Sequence, residues 1–202
     1  MTERRSVIAV AVATVAFGAA LWLRERVDPW LATATAAVIA GAIAVWALGR
    51  ERLRGLFAVD ARGLAGAAAL GGALVLATHL AFRLAAPWLG PQVRGLYASI
   101  DTVVPRAAQA AITFGVVVVE ELVWRGCTFA GERLPRRAVG AVVLYVIPQI
   151  MGGERVLVLA ALGLGTVFTI QRVRTGRLLY GLVTHAIWSL AIFVVVPLAT
   201  PA

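Results

Sequence analysis

Apolar positions in this chain run in long unbroken blocks, without the alternation of strands or the stripe of a surface helix. The blocks cover 6–23, 30–48, 64–84, 106–130, 138–151, 156–170 and 178–198, and most charged residues fall in the short segments between them. A helix needs about 20 apolar residues to cross roughly 30 Å of hydrocarbon. The pattern therefore predicts an all-α polytopic transmembrane bundle of about seven spans, forming a single membrane domain over 1–202. The runs 138–151 and 156–170 are short and separated only by Gly152, Gly153, Glu154 and Arg155, so they read as a tight helical hairpin within the bundle. A membrane barrel would need alternating segments of about ten residues, and these runs are continuous and rich in Ala and Gly. Gly66, Gly71, Gly72, Gly163 and Gly165 are expected where helices approach closely. The segment 85–105, with Pro87, Pro91, Gly95 and Pro105, is expected to be a loop at the outer interface. No internal repeat, flexible linker or second domain is visible.

Composition sharpens this picture. The chain is 61% hydrophobic and 14% charged, with a mean hydropathy of +0.89. A soluble domain carries about a quarter charged residues, so this chain lacks the polar surface to cover itself in water. It has 19 Arg, no Lys and 10 acidic residues, for a net charge of +9. In a nucleic-acid binder that excess would gather on a soluble face; here it sits between apolar runs, as topology determinants and lipid headgroup contacts do. No nucleic-acid partner is expected. A single cysteine, Cys127, excludes an internal disulfide and reads as a small packing residue.

The arginines also set a direction. With the N-terminus inside, Arg4, Arg5, Arg50, Arg52, Arg54, Arg62, Arg133, Arg136, Arg137, Arg172, Arg174 and Arg177 are cytoplasmic, 12 of the 19. Arg24, Arg26, Arg94, Arg106 and Arg155 face the other side. The positive-inside rule then supports N-terminus in and C-terminus out, and the arginine-free C-terminal tail agrees. Trp22, Trp30, Trp46 and Trp88 fall near span ends, as interfacial anchors should. Arg4, Arg5 and the small residues Gly18, Ala19 and Ala20 give the first run the look of a signal peptide. Six further apolar runs favour a retained first span.

Eight of the ten acidic residues lie in loops or tails; the other two, Glu120 and Glu121, are adjacent within a span. A carboxylate inside the bilayer costs at least about 2.5–3.5 kcal/mol on insertion scales, so the pair asks for a reason. Helical geometry sets them about 100° apart. Glu121 can pair with Arg125 four residues on, while Glu120 faces another side and needs a partner from another helix. Glu120, Gln149 and His185 all come out roughly 12–17 Å above the same cytoplasmic face, from their positions along three spans. Ser189 follows His185 on the same helix face. A polar layer drawn from three helices is what a buried site requires; the alternative is a structural charge network that fixes helix packing. His79 and Arg83 are expected nearer the outer surface, apart from that layer.

Three segments resemble the motifs of the CPBP membrane proteins, the CAAX-processing and bacteriocin-processing enzymes also called the type II CAAX prenyl endopeptidase or Abi family. Glu120-Glu121-Leu122-Val123-Trp124-Arg125-Gly126 looks like EExxxRG, Tyr145 with Gln149 like an aromatic followed four residues later by histidine, and His185 with Ser189 like histidine followed by a polar residue. The resemblance covers about 100–198. It implies a glutamate-dependent intramembrane endopeptidase acting on a membrane-associated protein or peptide. In that role Glu120 would activate water, with Gln149 sharing it. His185 and Ser189 would stabilise the oxyanion, and Glu121 and Arg125 would hold the helix and the base. Two positions depart from the family pattern: Gln149 stands in place of histidine and Ser189 in place of asparagine. Glutamine can orient a water but cannot take its proton. Without that histidine the set falls short of the three protein ligands of a catalytic zinc site, so neither metal nor other cofactor is expected. Two other functions fit the residues: a degenerate member that binds a membrane peptide or confers immunity, and a proton- or ion-coupled transporter. The transporter would be expected to show paired inverted segments, and none is visible. Arg-only basic usage with abundant Ala suggests a GC-rich bacterial genome and a location in the cytoplasmic membrane.

Overall fold

The computed structural model describes residues 2–129 and 135–198, all of whose regular structure is helical. The loop at Gly131 and Arg133 and the tail after Leu198, both used in the topology argument, lie outside the described residues. Eight helices follow in order: α1 (Thr2–Trp22), α2 (Pro29–Leu48), α3 (Arg50–Leu56), α4 (Ala61–Ile100), α5 (Arg106–Glu120), α6 (Pro135–Gly152), α7 (Arg155–Thr175) and α8 (Leu179–Leu190). Two continue as π-helix, α5 through Glu121–Cys127 and α8 through Ala191–Val195. Five stretches are long and apolar enough to cross a membrane: Glu3–Trp22, Pro29–Leu48, Ala61–Ile100, Arg106–Cys127 and Arg155–Thr175. Leu179–Val195 is a shorter apolar helix.

Local chemistry sets the boundaries. Asp28 caps α2 by accepting from the backbone N–H of Trp30 and Leu31 at 2.9 and 3.0 Å, with Pro29 at the first helical position. Asp60 caps α4 through Gly63 N–H at 2.7 Å. Gly176, at φ 68°, ends α7 in the left-handed conformation that a side chain would resist. Because Gln171, Arg172 and Arg174 continue the helix to that stop, α7 is long enough for a full span and longer than the short arm expected over 156–170. The short amphipathic α3 was hidden in what reads as a charged loop.

The segment 85–105 is the larger correction. Most of it is helix, with Pro87 and Pro91 inside α4 and only 101–105 left as a loop. A proline costs one backbone hydrogen bond and bends the helix without ending it where neighbours support the freed groups. The bend is real. Tyr97 donates its hydroxyl to Ile192 O at 2.8 Å and accepts from Leu198 N–H at 3.1 Å, while His79 Nε2 lies 3.2 Å from Val196 O. Those two side chains would stand about 27 Å apart along a straight helix, too far to share so short a stretch of chain. The helix therefore turns back between them, where the prolines sit.

Contacts between helix ends fix the order of the bundle. At one end Leu178 N–H bonds Leu56 O at 2.9 Å, Arg52 bonds Phe129 O at 2.7 Å and Arg137 pairs with Glu3 at 2.8 Å. At the other, Arg24 pairs with Glu154 at 2.6 Å, Trp30 Nε1 donates to Ile100 O at 2.8 Å and Arg106 donates to Val194 O at 2.7 Å. The arginine-rich segments thus share one end and the arginine-poor ones the other. Between them, α1 and α2 pack through buried alanines at four-residue spacing, Ala9 and Ala13 against a stripe of Ala36, Ala40 and Ala44. Such small side chains let backbones come close where lipid supplies no hydrophobic drive. Of the five glycines expected at contacts, Gly71 meets Ile187 and the Thr184 carbonyl and Gly165 meets Tyr145; Gly66, Gly72 and Gly163 face open space. Trp22, Trp46 and Trp88 are exposed, but Trp30 is buried and is no interfacial anchor.

Candidate functional site

The site begins where α5 changes pitch. The chain is α-helical to Glu120 and widens into a π-helix from Glu121 to Cys127, with Thr128 N–H reaching back five residues to Val123 O at 3.3 Å. Insertions of this kind recur at functional sites because they re-aim side chains within one helix. Glu121, Leu122, Val123, Trp124, Arg125, Gly126 and Cys127 are all buried here. Cys127 is packed among core residues.

Glu121 and Arg125 pair along the helix at 3.2 Å, and both are almost fully buried. Arg125 also donates to Gly165 O at 3.2 Å and lies over the rings of Tyr145 and Phe168, at 4.4 and 5.5 Å from their centroids. A desolvated guanidinium gains from both a carboxylate and aromatic faces. From α8, His185 places Nδ1 3.0 Å from Glu121 Oε1 and Nε2 3.7 Å from Glu120 Oε2. Phe168 stacks on the imidazole at 4.4 Å and Tyr145 meets it edge-on at 6.3 Å, which fixes the ring plane. The adjacent glutamates, expected to point to different sides of their helix, converge on one imidazole. Gly181 makes this possible, because a Cβ there would stand 3.2 Å from Glu121 Oε2.

The Tyr145 hydroxyl faces Glu120. It lies on the wall of a mostly apolar cavity of about 180 Å³, shared with Tyr145, Gln149 and Ser189. No described residue hydrogen-bonds the Gln149 or Ser189 side chain, so both offer free polar atoms to that space. His185 is not on the cavity wall; it stands behind Glu120, 2% exposed. The six residues singled out in the sequence are therefore brought together in two layers. Glu120, Gln149 and Ser189 face the cavity, and Glu121, Arg125 and His185 back them. Glu121 Oε2 and Arg125 Nε have no hydrogen-bond partner among the described residues.

Sequence reasoning left out several parts. Tyr145 has no role in the resembled motif beyond its ring, yet its hydroxyl faces Glu120 and its ring lies under Arg125. Phe168, Gly165 and Gly181 carried no signal beyond being apolar or small. Arg172, counted as a topology charge, is buried and donates to Arg125 O at 3.2 Å. His79 stands apart, against the carbonyls of Val75 and Val196, and Arg83 is exposed. Among the described residues no group of three or more His, Cys, Asp and Glu side chains is arranged to hold a metal ion; Arg125 already sits where a cation would meet Glu121.

Residues 102–191 match the family model described as Type II CAAX prenyl endopeptidase Rce1-like. No curated protein and no solved structure matches the chain. The matched stretch holds both glutamates, Arg125, Tyr145, Gln149, His185 and Ser189, and leaves α1 to α4 outside it. With its run of apolar helices around that stretch, the chain is an integral membrane protein whose residues 102–191 are similar to the Rce1-like type II CAAX prenyl endopeptidases.

Proposed function

We propose that this protein is a glutamate-dependent intramembrane endopeptidase that cleaves a membrane-associated protein or peptide, with Glu120 as the base. The observation that carries this reading is the exposure of Glu120 to the cavity while Glu121, Arg125 and His185 stand behind it. Glu120 would take a proton from water as the hydroxyl attacks the scissile carbonyl, and return it to the leaving amine as the C–N bond breaks. Ser189 and Gln149 offer donors from the wall to the water and the developing oxyanion, a contribution of about 3–4 kcal/mol per donor in comparable sites. The imidazole of His185, held by Glu121 and Phe168, orients the Glu120 carboxylate. Purified protein should cleave a membrane peptide, and Glu120→Gln should abolish cleavage; persistent turnover in that variant removes the mechanism.

A second reading rests on Gln149, which stands where the resembled motif has histidine and cannot exchange a proton. Under it the protein is a degenerate member that holds a membrane peptide without cutting it. Gln149→His separates the two, since a large gain of cleavage marks the wild type as degenerate. For topology we propose the N-terminus in the cytoplasm, on the arginine distribution, and the bacterial cytoplasmic membrane as location.

A further inference from the structure

We infer that Arg172 is a positioning residue for this site, holding the π-helical turn of Glu121 and Arg125 through a hydrogen bond to the turn's own backbone. One face of α7 grips Arg125 at both ends. Gly165 O accepts from its guanidinium at 3.2 Å, the Phe168 ring lies under that group at 5.5 Å, and Arg172 Nε donates to the Arg125 carbonyl at 3.2 Å. Residues 165, 168 and 172 are spaced by three and four, so a single helix face presents all of them. The Arg172 guanidinium also lies over the Phe129 ring, 5.7 Å from its centroid. From α3, Arg52 adds a second grip, donating to Phe129 O at 2.7 Å and lying 3.5 Å from Gly126 O.

A buried cation needs a reason. Arg172 is 7% exposed, and an arginine taken out of water costs free energy unless it is well bonded. As a topology or dipole charge it would belong near the C-terminal end of α7, where cations are favoured. Arg174 fills that role equally well, in the same last turn, and it is exposed. What Arg172 adds is the contact with the π-turn. The last carbonyls of a helix have no N–H ahead of them within it, and a π-turn holds one residue more than an α-turn. If the turn relaxed to α geometry, everything beyond the extra residue would rotate by about 100°. Arg125 would then leave Gly165 O and Phe168, and Glu121 and His185 would lose their support behind Glu120. A donor fixed on Arg125 O opposes that rotation.

Only the effect on cleavage rests on the reading of Glu120 as base; the hold on the turn does not. Cys127 closes the π-turn and is the chain's single cysteine, 1% exposed, so its alkylation reports the turn directly. Two substitutions isolate the bond. Glutamine and methionine both reach as far as the arginine Nε, where glutamine ends in an N–H donor and methionine in a methyl group. Each full-length variant, in detergent, is treated with N-ethylmaleimide at a fixed interval below its own unfolding temperature, and kcat and KM are measured on a membrane peptide. Arg172→Met should speed alkylation about tenfold or more and lower kcat by a similar factor at little-changed KM, as loss of a hydrogen bond from a charged donor implies. Arg172→Gln should restore most of both. Arg174→Met removes the same charge from the same helical turn and should alter neither. Equal behaviour of Arg172→Met and Arg172→Gln overturns the role given to Nε, as does alkylation no faster in Arg172→Met than in the wild type. Glu120→Gln separates this from the peptidase reading. Cleavage that persists in Glu120→Gln, or none even by the wild type, sinks Glu120 as base, while alkylation in the expected pattern still upholds the grip on the turn. Glu120-dependent cleavage at an unchanged kcat in Arg172→Met refutes the positioning role and leaves the peptidase.

Discussion

The imidazole of His185 meets Glu121 through Nδ1 at 3.0 Å and turns its other nitrogen toward Glu120 at 3.7 Å. One ring therefore couples a carboxylate locked in an ion pair to a carboxylate left facing a cavity. The two glutamates look equivalent in sequence and have unequal surroundings.

That inequality predicts a split between stability and activity. Glu121→Ala leaves the Arg125 guanidinium buried without its carboxylate, a loss of about 3–5 kcal/mol for a broken buried pair. Glu120→Ala removes a group that forms no ion pair with an arginine among the described residues, so the fold should survive with cleavage lost. Thermal unfolding of both variants in detergent checks this, and equal losses would show that Glu120 is part of the scaffold.

Tyr145→Phe removes the hydroxyl that faces Glu120 and keeps the ring over Arg125 at 4.4 Å. A hydrogen bond to a charged group contributes about 1.5–3 kcal/mol, so cleavage should slow by roughly 10- to 150-fold at near-normal stability. The ratio kcat/KM measured beside the unfolding temperature decides it. Unchanged kcat/KM with a lowered unfolding temperature would make the hydroxyl structural only.

Much of this was legible in the sequence because the bilayer forces long apolar blocks and makes each internal charge conspicuous. Glu120, Glu121, Arg125 and His185 stood out for that reason. What stayed hidden lacked that contrast. Phe168 and Gly181 look like any membrane residue until a neighbour is placed against them, and the π-helix at Glu121–Cys127 leaves no mark on hydropathy. Pro87 and Pro91 misled in the opposite sense, since residues that end a helix in water only bend one supported by neighbours.

Asp60 gives a pH prediction outside the spans. Its carboxylate accepts from the Tyr180 hydroxyl and from Gly63 N–H, in that order of effect, which holds its pKa below the ordinary aspartate range. A lowered folded pKa means the contribution is complete above the unfolded value, about 3.9, and is lost as pH falls through the folded one. The stability of the α4–α8 junction should therefore be flat from pH 5 to pH 8, on the order of those limits, and fall in acid. Tyr180→Phe should reduce the acid-sensitive part. An unfolding temperature with the same acid dependence in both proteins would discount the pair.

Gly165 ties packing to chemistry and gives the sharpest test of how the site is supported. A Cβ there would lie 2.8 Å from Tyr145 Cδ1 and 3.3 Å from Arg125 Nη2, too close for either to remain in place. Tyr145 has little room to yield, with Trp124 on one side and His185 on another, each at 6.3 Å between centroids. Gly165→Ala should therefore cost about 1–3 kcal/mol, as overpacking does, and shift the Tyr145 hydroxyl away from Glu120. Gly163, two residues earlier on the same helix, faces open space; Gly163→Ala should be neutral or gain about 0.5–1 kcal/mol from helix propensity. If the activity loss in Gly165→Ala runs through the hydroxyl, adding Tyr145→Phe should slow cleavage little further. Losses that multiply in the double variant would mean that Gly165 acts on the site by another path, through Arg125.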